Sequence, residues 1–130
     1  SIKIKIEPRT KKNSQKIIQT AGRLMVVPSA QYKQYENDCR YFVPKGLNID
    51  YPVNVKCLFF MKTRRKVDLT NLLEAVDDVL VYYGVVTDDN YKVIAGHDGS
   101  RVMVDKDNPR TEIYITALED DDPEGDNDED

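Results

Sequence analysis

Between residues 69 and 83, Leu69, Leu72, Leu73, Val76, Val79, Leu80 and Tyr83 fall on one face at 100° per residue. This is the most restrictive pattern in the chain. It demands a helix with one apolar stripe, and the stripe must be buried against another element. Asp68 suits the N-cap, with Asn71 three residues on, and Val67 and Leu72 can form a hydrophobic staple around it. Gly84 is placed to stop the helix. Upstream lies the most apolar run in the chain, Val53-Asn54-Val55-Lys56-Cys57-Leu58-Phe59-Phe60-Met61, which reads as a central strand. A basic cluster of Lys62, Arg64, Arg65 and Lys66 follows it at once.

The flanking segments read as smaller elements. Ile2-Lys3-Ile4-Lys5-Ile6 alternates as a half-buried strand ended by Pro8, and a basic loop, Arg9-Thr10-Lys11-Lys12-Asn13-Ser14, comes next. Ile17-Ile18 and Leu24-Met25-Val26-Val27, with Gly22 between them, predict a hairpin. Ser29 is a plausible cap for a helix over residues 30–42, ending before Pro44-Lys45-Gly46. After Gly84 comes a loop through Asp88, Asp89 and Asn90. Two closing strands, 91–94 and 112–116, are joined by turns containing His97, Asp98 and Asp105. The expected fold is α+β, a small mixed sheet packed against two main helices. The 130 residues suit one domain, expected over 1–118, with a low-complexity, disordered tail at 119–130.

Several classes are excluded. No stretch approaches the ~20 apolar residues of a membrane span, and Ser1-Ile2-Lys3-Ile4 has no signal-peptide pattern. Cys39 and Cys57 cannot make a disulfide framework and read as small core hydrophobes in a reducing interior. One His and two separated Cys do not supply a zinc site. The net charge of −4 conceals a segregation: residues 1–66 hold 15 bases and 4 acids, residues 67–118 hold 4 bases and 10 acids, and residues 119–130 hold nine acids and no base. A basic half suits a polyanion such as nucleic acid. An acidic patch facing phosphate is repulsive unless a cation lies between them, which points to a metal site. Charge that merely solvates the surface is an equal alternative on composition alone.

Asp68 opens the helix, and Asp88 and Asp89 lie about 20 residues further on. A 15-residue helix is about 22 Å long, so Asp68 and Asp89 meet only if the chain turns back along the helix after Gly84. Asn71, Asp78 and Tyr82 line one flank of the helix, and Thr70, Glu74 and Asp77 line the face opposite the core. A solvated acidic face with a capping Asp is the simpler interpretation.

The set Asp68-Leu69-Thr70-Asn71-Leu72-Leu73, then Asp78, then Gly84-Val85-Val86-Thr87-Asp88-Asp89 resembles the RusA family of Holliday junction resolvases. The Pro8-to-Ser14 loop, the strand and basic run before the motif, and Arg110-Thr111-Glu112 in a final strand extend the resemblance over residues 2–118. It implies a homodimeric, magnesium-dependent endodeoxyribonuclease, with manganese a possible substitute. Such an enzyme cuts four-way DNA junctions by symmetric paired nicks, with no small-molecule cofactor and no membrane, in a bacterial or prophage-encoded cytoplasmic setting. The matching positions make Asp68 and Asp89 the expected metal carboxylates, with Asp88 and Asn71 beside them and Asp78 supporting. The family's second motif Asp is here Thr70, and a family lysine is here Glu74. These sites are one helical turn apart, so Glu74 is expected to replace the missing carboxylate, with Thr70 supporting through its hydroxyl. The alternative is a branched-DNA binder that cuts weakly or not at all. Lys11, Lys12, Lys16, Lys62, Arg64, Arg65 and Lys66 are the expected phosphate contacts. His97, alone in a turn, reads as a polar surface group, with a general base as the lesser alternative.

Overall fold

The structure is a computed structural model that describes residues 1–11, 15–28 and 30–119. Lys12, part of the expected basic loop, the Ser29 cap and most of the acidic tail lie outside the described residues. Strand β1 spans Ile2–Ile4, β2 Gln15–Thr20 and β3 Arg23–Pro28; helix α1 spans Ala30–Asp38, followed by a 3-10 turn at Cys39–Tyr41. Then come β4 (Val53–Met61), α2 (Leu69–Tyr82), β5 (Ile94–Gly96), β6 (Arg101–Val104) and β7 (Arg110–Ala117).

The apolar run of β4 conceals an alternation. Val53, Val55, Cys57, Phe59 and Met61 are buried, and Asn54, Lys56, Leu58 and Phe60 on the other face are only half-buried. β7 pairs antiparallel with β4 from Ala117 opposite Val53 to Arg110 opposite Phe60, and β1 pairs antiparallel on its far side. β5 and β6 both pair parallel with β4, β5 near its start and β6 near its end. The result is the expected mixed sheet, in the order β1-β7-β4-β5, with β6 on the same edge of β4 as β5. A parallel neighbour needs a crossover, and α2 supplies it. The buried faces of α1 and α2 share one core with the sheet, joining Tyr32, Leu72, Val76, Val79 and Leu80 to Ile4, Phe59 and Ile113. Cys39 and Cys57 lie in this core as free thiols, and burial pushes Cys39 up to about 12, so neither is a reactive thiolate. Among the described residues no helix is long and apolar enough to cross a membrane.

Local expectations held with a few shifts. The hairpin forms, with Ala21 (φ 53°) and Gly22 (φ 75°) as the two-residue turn between paired Thr20 and Arg23. The first strand ends at Ile4, because only Ile2, Lys3 and Ile4 have partners on β7. Tyr91, Lys92 and Val93 form a turn closed on the Asn90 carbonyl by the amides of Val93 (3.0 Å) and Ile94 (2.9 Å), so the strand expected at 91 begins at Ile94. β6 was expected as connection; its four residues are too few to display a period.

α2 ends as predicted. Gly84 (φ 72°) donates to the Val81 carbonyl at 3.0 Å and Val85 donates to Leu80 at 2.9 Å, which is the Schellman pattern. A Cβ on Gly84 would meet the Gly46 nitrogen at 3.4 Å, an ordinary contact, so the left-handed backbone decides the cost of a side chain. Gly84→Ala is expected to destabilise the protein by about 1–2 kcal/mol, measured by urea unfolding. An unchanged midpoint would show that the turn relaxes.

Candidate functional site

Three successive turns of α2 present Thr70, Glu74 and Asp77 along one line of the helix. Past Gly84 the chain folds back. Asn48 donates to the Gly84 carbonyl at 2.8 Å, Ile49 to Val85 at 2.9 Å, and Thr87 returns a bond to Ile49 at 2.9 Å. This zipper carries Asp89 back to the polar face of the helix, the turn that a meeting of distant acids required. His97 arrives from the break between β5 and β6. Thr70, Leu73, Glu74, Asp77, Asp89 and His97 together line one cleft.

The break at residues 97–100 is built rather than loose. The Asn54 side chain accepts from the Asp98 amide at 2.8 Å and donates to the Asp98 carbonyl at 3.1 Å. Ser100 Oγ accepts the Cys57 amide at 2.9 Å. Gly99 (φ 88°) lies against Lys56, where a Cβ would come within 2.7 Å of the side chain. Between the partners of Asn54 and Leu58 the edge strand carries one residue more than β4, so the ladder bulges at this point. His97 Nε2 lies 2.9 Å from Asp77 Oδ1, with both side chains mostly buried. Burial raises the Asp77 carboxyl, the bond to His97 pulls it down, and the Asp89 charge pushes it up again. The bond to Asp77 raises His97 above the usual imidazole value, against desolvation.

The other expected site residues lie around this cleft. Asp68 has the extended backbone of an N-cap (φ −88°, ψ 128°), but its carboxylate makes no capping bond and instead accepts from Asn71 Nδ2 at 3.3 Å. Asp68 and Asn71 therefore form a pair at the mouth of the helix and do not line the cleft. Asp88 accepts the Asp89 amide at 2.7 Å, which holds its carboxyl below the usual range. Asp78 faces away and binds Lys11 at 2.6 Å, raising that ammonium. Lys62, Arg64, Arg65 and Lys66 are all exposed on the segment that leads into the first turn of α2. The Lys16 backbone pairs with Val27 in the hairpin.

Asp77 and His97 are the titratable cleft residues that the sequence reading did not place among the expected site residues. Asp77 had a signal, since it shares the face of Thr70 and Glu74. In sequence His97 is a general base only as the lesser alternative, and the bulge that brings it to α2 has no residue pattern.

The cleft is acidic, and an exposed basic run lies on the segment that leads into α2. The family model of endodeoxyribonuclease RusA matches residues 5–116. The chain therefore belongs to the RusA endodeoxyribonuclease family, whose members are nucleases acting on branched DNA such as Holliday junctions. No curated protein matches the chain at a significant level.

The donors left in the cleft beside the Asp77–His97 pair are the carboxylates of Glu74 and Asp89 and the Thr70 hydroxyl, all oxygen. That chemistry suits magnesium, which takes one or two protein carboxylates and completes its shell with water. Among the described residues no three of His, Cys, Asp or Glu gather closely enough to enclose an ion. An ion held here would take few protein ligands and complete its shell with water.

Proposed function

We propose that this protein is a magnesium-dependent endodeoxyribonuclease that resolves four-way DNA junctions by paired symmetric nicks in recombination and repair. The observation that carries this reading is the return of Asp89 to the face of α2 bearing Thr70 and Glu74, in a chain of the RusA family. Asp89 and Glu74 would hold the ion, with Asp68 and Asp88 at the rim. When bound, the ion supplies Lewis-acid polarisation of the scissile phosphate. Thr70 and Asn71 hold polar groups beside the carboxylates, and the Asp78–Lys11 pair keeps a cation on the next flank of α2. Residues 1–118 would form the nuclease domain, with 119–130 an acidic tail outside it. A two-fold dimer would provide the two sites that opposed cuts require. The test is cleavage of a synthetic four-way junction with and without magnesium. Paired, magnesium-dependent nicks are expected, and tight binding without cutting in magnesium or manganese would replace the reading with a non-cutting branched-DNA binder.

Lys62, Arg64, Arg65 and Lys66 would position the backbone of the junction. Replacing all four by Gln is expected to weaken binding to every DNA sequence alike. The dependence of log affinity on log salt should flatten by roughly 3–4 units, one per lost phosphate contact. An unchanged salt slope would remove this segment from the interface.

A further inference from the structure

The Asp77–His97 pair is the one feature of the cleft that the metal reading leaves unused. It has the form of a proton-transfer device. An ionised carboxylate only accepts hydrogen bonds, so Asp77 holds the proton of His97 on Nε2 and leaves Nδ1 with its lone pair. The same logic positions the imidazole in hydrolytic triads. The fold also fixes the ring from behind. The bulge that carries His97 is tied to β4 at Asn54 and Cys57 and closes on the Ser100 amide, which donates to the His97 carbonyl at 3.1 Å. A histidine that merely solvated a turn would need neither the buried carboxylate nor the anchored bulge. The pair opens on the same cleft as Glu74 and Asp89, where a phosphate would lie on the proposed function.

We infer that His97 is the general base of the cleavage reaction, positioned by Asp77. As the water oxygen bonds to phosphorus, His97 Nδ1 takes its proton. The bond from phosphorus to the leaving nucleoside oxygen breaks, and its electron pair stays on that oxygen. The leaving oxygen then takes a proton from solvent, and the imidazolium releases its own to solvent. His97 is thus a catalytic residue, and Asp77 a positioning residue that acts through it. The charged groups facing the ring are Asp77 from α2, Asp98 in its own turn, and Glu74 and Asp89 across the cleft. All are acidic, and Asp77 and Asp98 favour a more basic imidazole.

The inference rests on the proposed nuclease activity, so the native chain is assayed first on a four-way junction in magnesium. If it does not cut, the nuclease reading fails and the base assignment falls with it. If it cuts, His97→Ala is expected to lose about 10²–10⁴-fold in rate while binding the junction normally, which reports an intact fold. Added imidazole should restore part of that rate, and substituted imidazoles should restore more as their basicity rises. His97→Gln, which fills the site, should be equally slow but not rescued. Asp77→Asn should cut slowly, with native junction affinity and with the pH midpoint of its rate moved below that of the native chain. An active native enzyme whose His97→Ala variant cuts at the native rate, or is slow but unmoved by any imidazole, overturns the assignment while leaving the nuclease reading intact.

Discussion

Asp89→Asn is expected to reduce magnesium-dependent junction cleavage by about 10³-fold or more. A catalytic cation contributes several kcal/mol to the barrier, and each 1.4 kcal/mol is about tenfold in rate. Asp89 is the exposed carboxylate that the returning loop brings to α2, and its charge already presses on Asp77. The substitution removes a ligand and keeps the shape. It also removes a negative charge that faces phosphate, so junction binding should be unchanged or slightly tighter. Gel-shift and cleavage assays on the same preparation separate the two effects. Equal losses in binding and cutting would mean that Asp89 maintains the fold of the loop. Glu74→Lys is expected to abolish magnesium-dependent cutting as well, because it places a cation where the second carboxylate is needed. A variant that cuts like the parent would show that Glu74 does not compensate for Thr70.

The largest loss of stability is expected from Phe59→Ala. Phe59 is 1% exposed in the second half of β4, registered against Thr111 on one side and Val102 on the other. It lies on the face that meets the helices, so the cavity opens inside the single core and has few routes to collapse. Phe-to-Ala changes of this kind cost about 3–5 kcal/mol, against a typical total of roughly 5–15 kcal/mol for a domain. The urea midpoint should fall by roughly 2 M, given a slope of about 2 kcal/mol/M. Leu24, 76% exposed on the hairpin, is the control: Leu24→Ala should change stability by no more than about 0.5 kcal/mol. A Phe59→Ala midpoint within that range would mean the core is far looser than its burial indicates.

The sequence by itself determined the parts whose physics is local. The apolar period of residues 69–83 forms α2 because a 3.6-residue stripe has one way to be buried, and Gly84 ends it because only glycine takes a left-handed φ without strain. The apolar run of β4, the hairpin and the two helices followed from the same short-range rules, and so did the mixed α+β class. The conjunction of Asp68, Asn71, Asp88 and Asp89 in a fixed order was enough to point to the RusA family. Tertiary structure decided the rest. That β5 and β6 run parallel to β4 depends on a crossover more than 30 residues long, which no window of sequence displays. Asp68 was readable as a cap, yet its carboxylate turned to Asn71; Asp78 was readable as a site residue, yet Lys11 took it. The first partner is local and the second comes from a segment 67 residues away, which no window of sequence displays. Asp77 and His97 lie 20 residues apart and meet only because a bulge on one edge strand is tied to β4 and aimed at α2. Residue pattern encodes which face is buried, but which polar groups meet across that face depends on loop closure and strand register, and these are properties of the assembled fold.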